Sequence, residues 1–199
     1  MRRDDVTDHL FKTKFCFVRF GNVLGSRGSV VPLFIKQAKN GGPITITDPA
    51  MTRFFMSVKQ AVNLIFKATR LMKDREIFVL KMLSVRVGDL ARAVIGLVAD
   101  RQKSDPSKIK IEIVGKKDGE RKHEKLLTEE ESETALETDD MFIILPNSEI
   151  VKEFKTPRYR YPQTQRYKKG AYISENQKQP SVDEIIRLLK STLEFDQSA

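Results

Sequence analysis

An α/β architecture is the expectation, and three observations carry it. Apolar strand-like runs alternate with amphipathic helical stretches along the chain. The first run, Phe15–Phe20, has β-favouring residues on both faces, as a buried parallel strand does. Turn and cap signals fall between the elements: a glycine-rich turn over Gly21–Gly28, and Ser/Thr-x-x-Glu/Gln pairs at Ser57/Gln60, Thr128/Glu131 and Ser181/Glu184.

Residues 1–14 are polar and read as a loop or a frayed helix end. The strand at Phe15–Phe20 is expected to be buried, with partners on each side supplied by preceding sequence, so the chain is expected to be part of something larger. A helix follows from Ser29 to Lys39, with Val30, Val31, Leu33, Phe34 and Ala38 along one side. Pro32 falls in its first turn, where a missing N–H costs little. Gly41 and Gly42 break it, and a short strand at Ile44–Thr47 leads through Asp48-Pro49 to Arg53. The next helix runs from Ser57 to Lys73, with Val58, Ala61, Val62, Ile65, Ala68 and Leu71 at helical spacing. Glu76–Met82 is a second apolar strand, and Val87–Arg101 is a helix with Asp89 near its positive end. Lys108–Val114 alternates with period two, a half-buried strand. Thr128–Glu137 reads as a short acidic helix and Met141–Leu145 as a strand. Residues 146–180 are irregular, and a last helix starts at Ser181 to bury Val182, Ile185, Ile186, Leu189 and Leu193.

Composition narrows the partners. Lys and Arg exceed Asp and Glu by 9, with a pI near 9.6, which favours anions: nucleic acid, anionic lipid or phosphorylated small molecules. A single cysteine, Cys16, excludes an internal disulfide framework and reads as a small hydrophobe in its strand. The charged start Met1-Arg2-Arg3-Asp4-Asp5 has no apolar run behind it and is not a signal peptide. No run of about 18 apolar residues exists, so no membrane partner and a cytoplasmic location are expected.

The motifs carry more chemistry. Gly21-x3-Gly25-x2-Gly28 sits between a strand and a helix, and Asp48 follows about 20 residues later, as in a dinucleotide loop. The short helix, the polar strand Ile44–Thr47 and Arg27 inside the turn weigh against that reading. A ligand-free structural turn stays open beside the favoured one, a substrate-phosphate turn in which Arg27 is the working group. Arg27 and Arg53 are each expected just beyond an apolar strand, where a guanidinium fork can take phosphate oxygens. Lys116–Glu124 is a charge-dense turn, and His123 in it has no second His or Cys at ligand spacing, so no metal is expected. The stretch Lys152–Lys169 mixes basic residues with Tyr159, Tyr161 and Tyr167. It reads as a surface-crossing arm whose tyrosines pack on the body, in preference to a nucleic-acid platform. None of Tyr159, Tyr161, Tyr167 and Tyr172 has a Lys four residues on.

The segments RFGNVLGSRGSVVPLFIKQ and PITITDPAMTRFFMSVKQAV, then FVLKMLSVRVGDLARAV and KKDGERKHEKLLTEEE, resemble the C-terminal half of nucleotide-sugar short-chain dehydrogenase/reductases. The branch they resemble holds the UDP-N-acetylglucosamine 4,6-dehydratases and UDP-sugar 4-epimerases of polysaccharide biosynthesis. The resemblance spans Phe15 to Pro146. It implies the last strands and helices of a Rossmann-type parallel sheet plus a small α+β substrate-binding domain. Residues 1–149 would interleave the two, and 150–199 would form the basic-aromatic arm and C-terminal helix.

It further implies NAD(P) as cofactor of the complete enzyme and a UDP-sugar as substrate. Asn22 and Val23 would lie at the cofactor, and Asn22 also at the substrate. Arg27 and Arg53 would hold the diphosphate, with Gly28 and Ser29 beside it, and Thr47 and Asp48 would border the uridine. Lys117 and Glu120 complete the substrate set, with Lys117 where the family usually has Arg. No catalytic residue is expected here, because the family's cofactor loop and Tyr-x-x-x-Lys precede the strand at Phe15. The chain alone is therefore expected to be inactive and not to bind NAD(P) tightly. Its partners would be a separate N-terminal half or further copies pairing through an open sheet edge.

Overall fold

The computed structural model describes residues 13–146 and 160–193. Among them run, in order, β1 Phe17–Arg19, β2 Asn22–Val23, α1 Val30–Lys39, β3 Ile44–Ile46, β4 Thr52–Met56, α2 Val58–Leu71, β5 Ile77–Leu80, β6 Leu83–Arg86 and α3 Val87–Gln102. Then follow β7 Ile111–Ile113, β8 Lys125–Leu127, α4 Glu129–Thr134, β9 Ala135–Glu137, β10 Met141–Ile144, β11 Gln165–Arg166, β12 Tyr172–Ile173 and α5 Val182–Leu193. Single 3-10 turns lie at Pro106–Lys108 and Ser174–Asn176. The class is α/β. The chain divides into two compact units, one from residues 1–19, 62–81 and 127–171, the other from 20–61, 82–126 and 172–199.

The first unit is built on a five-stranded sheet in the order β1-β5-β10-β9-β11. β1 runs parallel to β5, with Val18 opposite Phe78, and β10 runs antiparallel on the other side of β5, with Ile143 opposite Phe78. The central strands are apolar on both faces, and Phe78, Val79, Phe142 and Ile143 are buried. β1 departs from its expectation. Its partner comes from later in the chain, among the described residues nothing pairs its other edge, and Phe17 is 64% exposed. The residue types identified a parallel strand correctly, but burial depends on what lies beyond it.

The basic-aromatic stretch is held to this sheet where it is described. Tyr161 and Tyr167 are buried, and Tyr167 packs on Phe142 with ring centroids 4.7 Å apart. The Tyr161 hydroxyl donates to Glu76, a fully buried carboxylate that also accepts the backbone N–H groups of Lys73 at 2.6 Å and Asp74 at 2.9 Å. Three donors therefore meet the charge, which is what its burial requires. Tyr159 lies outside the described residues. Cys16 is half-buried, and burial, then the charge of Glu76, push its thiol above the ordinary value.

The second unit packs α1, α3 and α5 with short strands around one apolar core that includes Phe34, Ile44, Phe55, Leu90, Val94 and Leu189. β2 runs parallel to β4, and β6 antiparallel to it; β3 runs parallel to β7. α1 buries Val31, Phe34 and Ala38 at i, i+3, i+7 spacing, while Leu33 is exposed. α2, in which the two units meet in sequence, departs more. Its buried stripe is Ala61, Leu64 and Ala68, whereas Val62, Ile65 and Phe66 are exposed. The helix carries two apolar stripes, and the one with the small alanines is covered. All three capping pairs form: Gln60 N–H donates to Ser57 Oγ, Glu131 N–H to Thr128 Oγ1 and Glu184 N–H to Ser181 Oγ, each with the reciprocal bond.

Candidate functional site

Every candidate site residue belongs to the second unit. The glycine turn begins with a tight contact. A Cβ at Gly21 would lie 2.6 Å from the Cβ and carbonyl oxygen of Phe54, so only glycine lets β2 approach β4 this closely. Pairing runs on from β2, with Leu24 N–H donating to Met56 O at 2.8 Å. Gly28 closes the turn with a φ of 78°, in open space, and Ser29 caps α1. The Ser29 side chain makes no cap bond, and its Oγ is buried without a partner among the described residues. The first amides of α1 are thus not capped by that hydroxyl, and a positive helix end stands beside the turn. Arg27 is exposed there, with no hydrogen bond or ion pair among the described residues.

Arg53 is in a different situation. It lies within β4, a strand not foreseen as such, and not beyond a strand end. Its Nη1 donates to Thr52 O at 2.8 Å and Lys122 O at 3.0 Å, and its Nη2 donates to Arg121 O at 2.7 Å. Glu120 and Glu124 stand 3.7 and 3.8 Å from the guanidinium. The expected phosphate fork is therefore occupied by backbone carbonyls, and Arg53 ties the charge-dense segment to β4. That segment is not a freely solvated run.

Glu124 joins the network further. Its Oε1 accepts from Asn22 Nδ2 at 2.9 Å, its Oε2 accepts the Phe54 N–H at 2.7 Å, and its own N–H donates to Ser174 Oγ at 2.9 Å. Thr47 Oγ1 donates to Glu120 Oε1 at 3.2 Å, and Glu120 Oε2 accepts the Lys117 N–H at 3.4 Å. Asn22, Arg53, Glu120 and Thr47 are thus brought together, with the Lys117 backbone at the margin. Asp48 closes its own turn through Ala50 N–H at 2.8 Å. Val23 pairs with Met56. No hydrogen bond or ion pair among the described residues joins Arg27, Gly28 or Ser29 to the Arg53 network.

Sequence reasoning missed the polar cluster behind Arg53. Thr52 and Ser174 are buried, with their hydroxyls 2.6 Å apart, and His123 Nδ1 lies 2.8 Å from Thr52 Oγ1. Tyr172 stacks on Phe54 at 4.6 Å; its hydroxyl accepts from Met82 N–H at 2.9 Å and donates to Met82 O at 3.2 Å. Glu124 and His123 were visible only as members of a charge run. No His/Cys/Asp/Glu group suited to a metal occurs among the described residues.

The chain is α/β, and the glycine turn into α1 and the polar network around Arg53 both belong to its second unit. A family described as polysaccharide biosynthesis protein matches residues 2–146, and the chain belongs to that family. A Methanocaldococcus jannaschii protein described as an uncharacterized membrane protein is 46% identical over 155 residues, covering 74% of this chain and 46% of that one. The probable polysaccharide biosynthesis protein EpsC of Bacillus subtilis is 49% identical over 121 residues, 60% of this chain and 20% of its own. A UDP-glucose 4-epimerase of Rickettsia massiliae is 35% identical over 190 residues, 94% of this chain and 52% of its own. Among solved structures, Pen from Bacillus thuringiensis superposes with a TM-score of 0.79 at 39% identity, covering 94% of this chain and 52% of that chain. This chain spans about half, or less, of the length of these relatives. No helix among the described residues is long and apolar enough to cross a membrane.

Proposed function

We propose that the chain supplies the substrate-binding part of a UDP-N-acetylhexosamine-modifying enzyme, a 4,6-dehydratase or 4-epimerase, in polysaccharide biosynthesis. The observation that carries the reading is the state of Arg27. It is a guanidinium without a partner among the described residues, set just before the N-terminus of α1, whose cap residue Ser29 makes no side-chain cap bond. A diphosphate needs a cation and oriented N–H donors together, and this end of the second unit offers both.

In this reading Arg27 takes the diphosphate with the Gly28 and Ser29 backbone. Asn22 meets the sugar, and Thr47 and Asp48 border the uridine. Arg53 acts from behind, by fixing the 121–122 carbonyls and the Glu120 and Glu124 carboxylates. Lys117 and Glu120 rim the site. NAD(P) belongs to the complete enzyme, where it would accept and return the hydride, and Asn22 and Val23 border its nicotinamide edge. In this reading the glycine turn between β2 and α1 is not a dinucleotide cradle, because it carries Arg27 where bare backbone is needed, and no hydride step is assigned to these residues.

Calorimetry of the chain with UDP, UDP-N-acetylglucosamine and NAD tests this. UDP and the UDP-sugar bind and NAD does not reach stoichiometric occupancy; a chain that binds neither uridine ligand refutes the proposal.

A second reading keeps the site but makes the chain a non-catalytic UDP-sugar module that joins another polypeptide. It is favoured by Phe17 on β1 and Phe15 just before it, and by Ile65 and Phe66 on α2, all in the first unit and all exposed. Light scattering that finds a well-behaved monomer at high concentration, with no change when those residues are made polar, counts against it.

A further inference from the structure

The Asn22 carboxamide is fixed in one orientation by the chemistry of its neighbours. Its Nδ2 donates to Phe54 O at 3.1 Å and to Glu124 Oε1 at 2.9 Å. A backbone carbonyl and a carboxylate can only accept, so both N–H bonds must point at them. Turned over, the amide would set its oxygen against two acceptors. The oxygen Oδ1 therefore points away from both, and it makes no hydrogen bond among the described residues. It is not one of the buried atoms without a partner, which are Ser29 Oγ and Gln179 Oε1.

Glu124 enforces this arrangement because it is itself held at both ends. Its Oε2 accepts the N–H of Phe54, a backbone group locked in β4, and its own N–H donates to the buried Ser174 hydroxyl. Arg53 Nε stands 3.8 Å from the oxygen that faces Asn22.

We infer that Glu124 is a positioning residue that presents Asn22 to a ligand as an acceptor only. Asn22 therefore takes a hydrogen-bond donor of the sugar, a hydroxyl or an amide N–H, and not a phosphate oxygen. The inference rests on the sugar-nucleotide reading above. A phosphate oxygen is itself an acceptor and would meet Asn22 Oδ1 repulsively. The diphosphate is left to the cation and N–H donors at Arg27 and α1. The side chain at position 22 thus separates the sugar part of the site from its phosphate part.

Glu124→Gln is the informative change. Glutamine offers one oxygen where glutamate offers two. The Phe54 N–H cannot turn, so it keeps that oxygen, and an NH2 group then faces Asn22. Asn22 is left between an acceptor and a donor, and its orientation is no longer imposed.

The test compares UDP with UDP-N-acetylglucosamine by calorimetry in the full chain, Glu124→Gln and Asn22→Ala. Both variants are expected to bind the UDP-sugar about three- to tenfold more weakly, the loss of one hydrogen bond. UDP should stay within about twofold of the unmodified chain, which also shows that the site is folded. The unmodified chain gives a second readout that no folding defect can mimic. With 13C,15N-labelled asparagine, the Asn22 side-chain carbonyl signal should move with UDP-N-acetylglucosamine and not with UDP. An Asn22 signal that moves equally with UDP, or folded variants that lose both ligands in equal measure, overturns the inference while leaving the sugar-nucleotide site standing. An unmodified chain that binds neither ligand brings down both.

Discussion

Arg27 and Arg53 look alike in sequence and should behave oppositely when removed. The Arg53 side chain is 17% exposed and donates to three backbone carbonyls, those of Thr52, Arg121 and Lys122. In Arg53→Ala each of these acceptors loses one donor, although Lys122 O keeps the Thr52 N–H at 3.1 Å and Thr52 O keeps the Ser174 hydroxyl at 3.2 Å, and Glu120 and Glu124 lose the cation near them. A hydrogen bond from a charged donor contributes about 1.5–3 kcal/mol, and such effects overlap when they share one group. Some of the carbonyls will recover water, since Lys122 and Arg121 are exposed. The net expectation is a loss of about 2–4 kcal/mol. Arg27 has no partner to lose among the described residues, so Arg27→Ala should leave stability within about 0.5 kcal/mol of the unmodified chain. Its effect is on the ligand: UDP should bind at least about tenfold more weakly, since a charge-assisted contact to phosphate disappears. Urea unfolding followed by far-ultraviolet circular dichroism reads the first effect and calorimetry the second. Two compact units need not unfold together, so both halves of the transition must be fitted. An Arg53→Ala chain as stable as the original, or an Arg27→Ala chain with undiminished UDP affinity, refutes the division of labour between the two.

Two further outcomes follow from buried or paired polar groups. Tyr172→Phe keeps the ring stacked on Phe54 but strips the hydroxyl from both Met82 backbone groups, so urea unfolding should show a loss of about 2–3 kcal/mol; a loss below about 0.5 kcal/mol would contradict the bonding described. Burial works to raise the Glu131 carboxyl, but the bidentate Arg19 fork and the Thr128 amide outweigh it and hold it below its ordinary 4.5. A depressed folded value means the stabilisation is present above the unfolded pKa and lost as pH falls through the folded one. Stability measured from pH 7 down to pH 3 should therefore fall more steeply below about pH 4.5 in the original than in Glu131→Gln, by on the order of 1 kcal/mol, and parallel curves would rule the pair out as a contributor.

What could be seen in the sequence was local. The capping pairs at Ser57, Thr128 and Ser181 need only residues three apart, and each forms. The glycine turn between β2 and α1 was legible because Gly28 answers to its own φ, but Gly21 answers to Phe54, 33 positions away and hidden from any window. Burial at β1 and α2 was misjudged for the same reason. Apolar spacing says which residues could be covered, and the covering surface comes from elsewhere in the chain. The role of Arg53 was the least accessible, because two of its three carbonyl acceptors are 68 and 69 residues away, and carbonyls have no letter.

The charge-dense turn gains its meaning from this last point. A run such as Lys116–Glu124 usually belongs to solvent, and its lysines here are indeed exposed. Its backbone and its two glutamates at 120 and 124 are nonetheless fixed: by Arg53 on one side, by the buried Ser174 hydroxyl and the Thr52 N–H on another, and by the Phe54 N–H. Holding a carboxylate next to Asn22 costs desolvation, and a purely structural crosslink could be made more cheaply with an amide. An amide, however, would offer one acceptor to two donors. Only a carboxylate serves the Phe54 N–H and Asn22 Nδ2 at once, so the same atoms that tie the segment to β4 also set which end of Asn22 remains for a ligand. The structural role and the proposed recognition role of Glu124 thus share one carboxylate but use different oxygens, and Glu124→Gln parts them by keeping the Phe54 N–H bond while releasing Asn22.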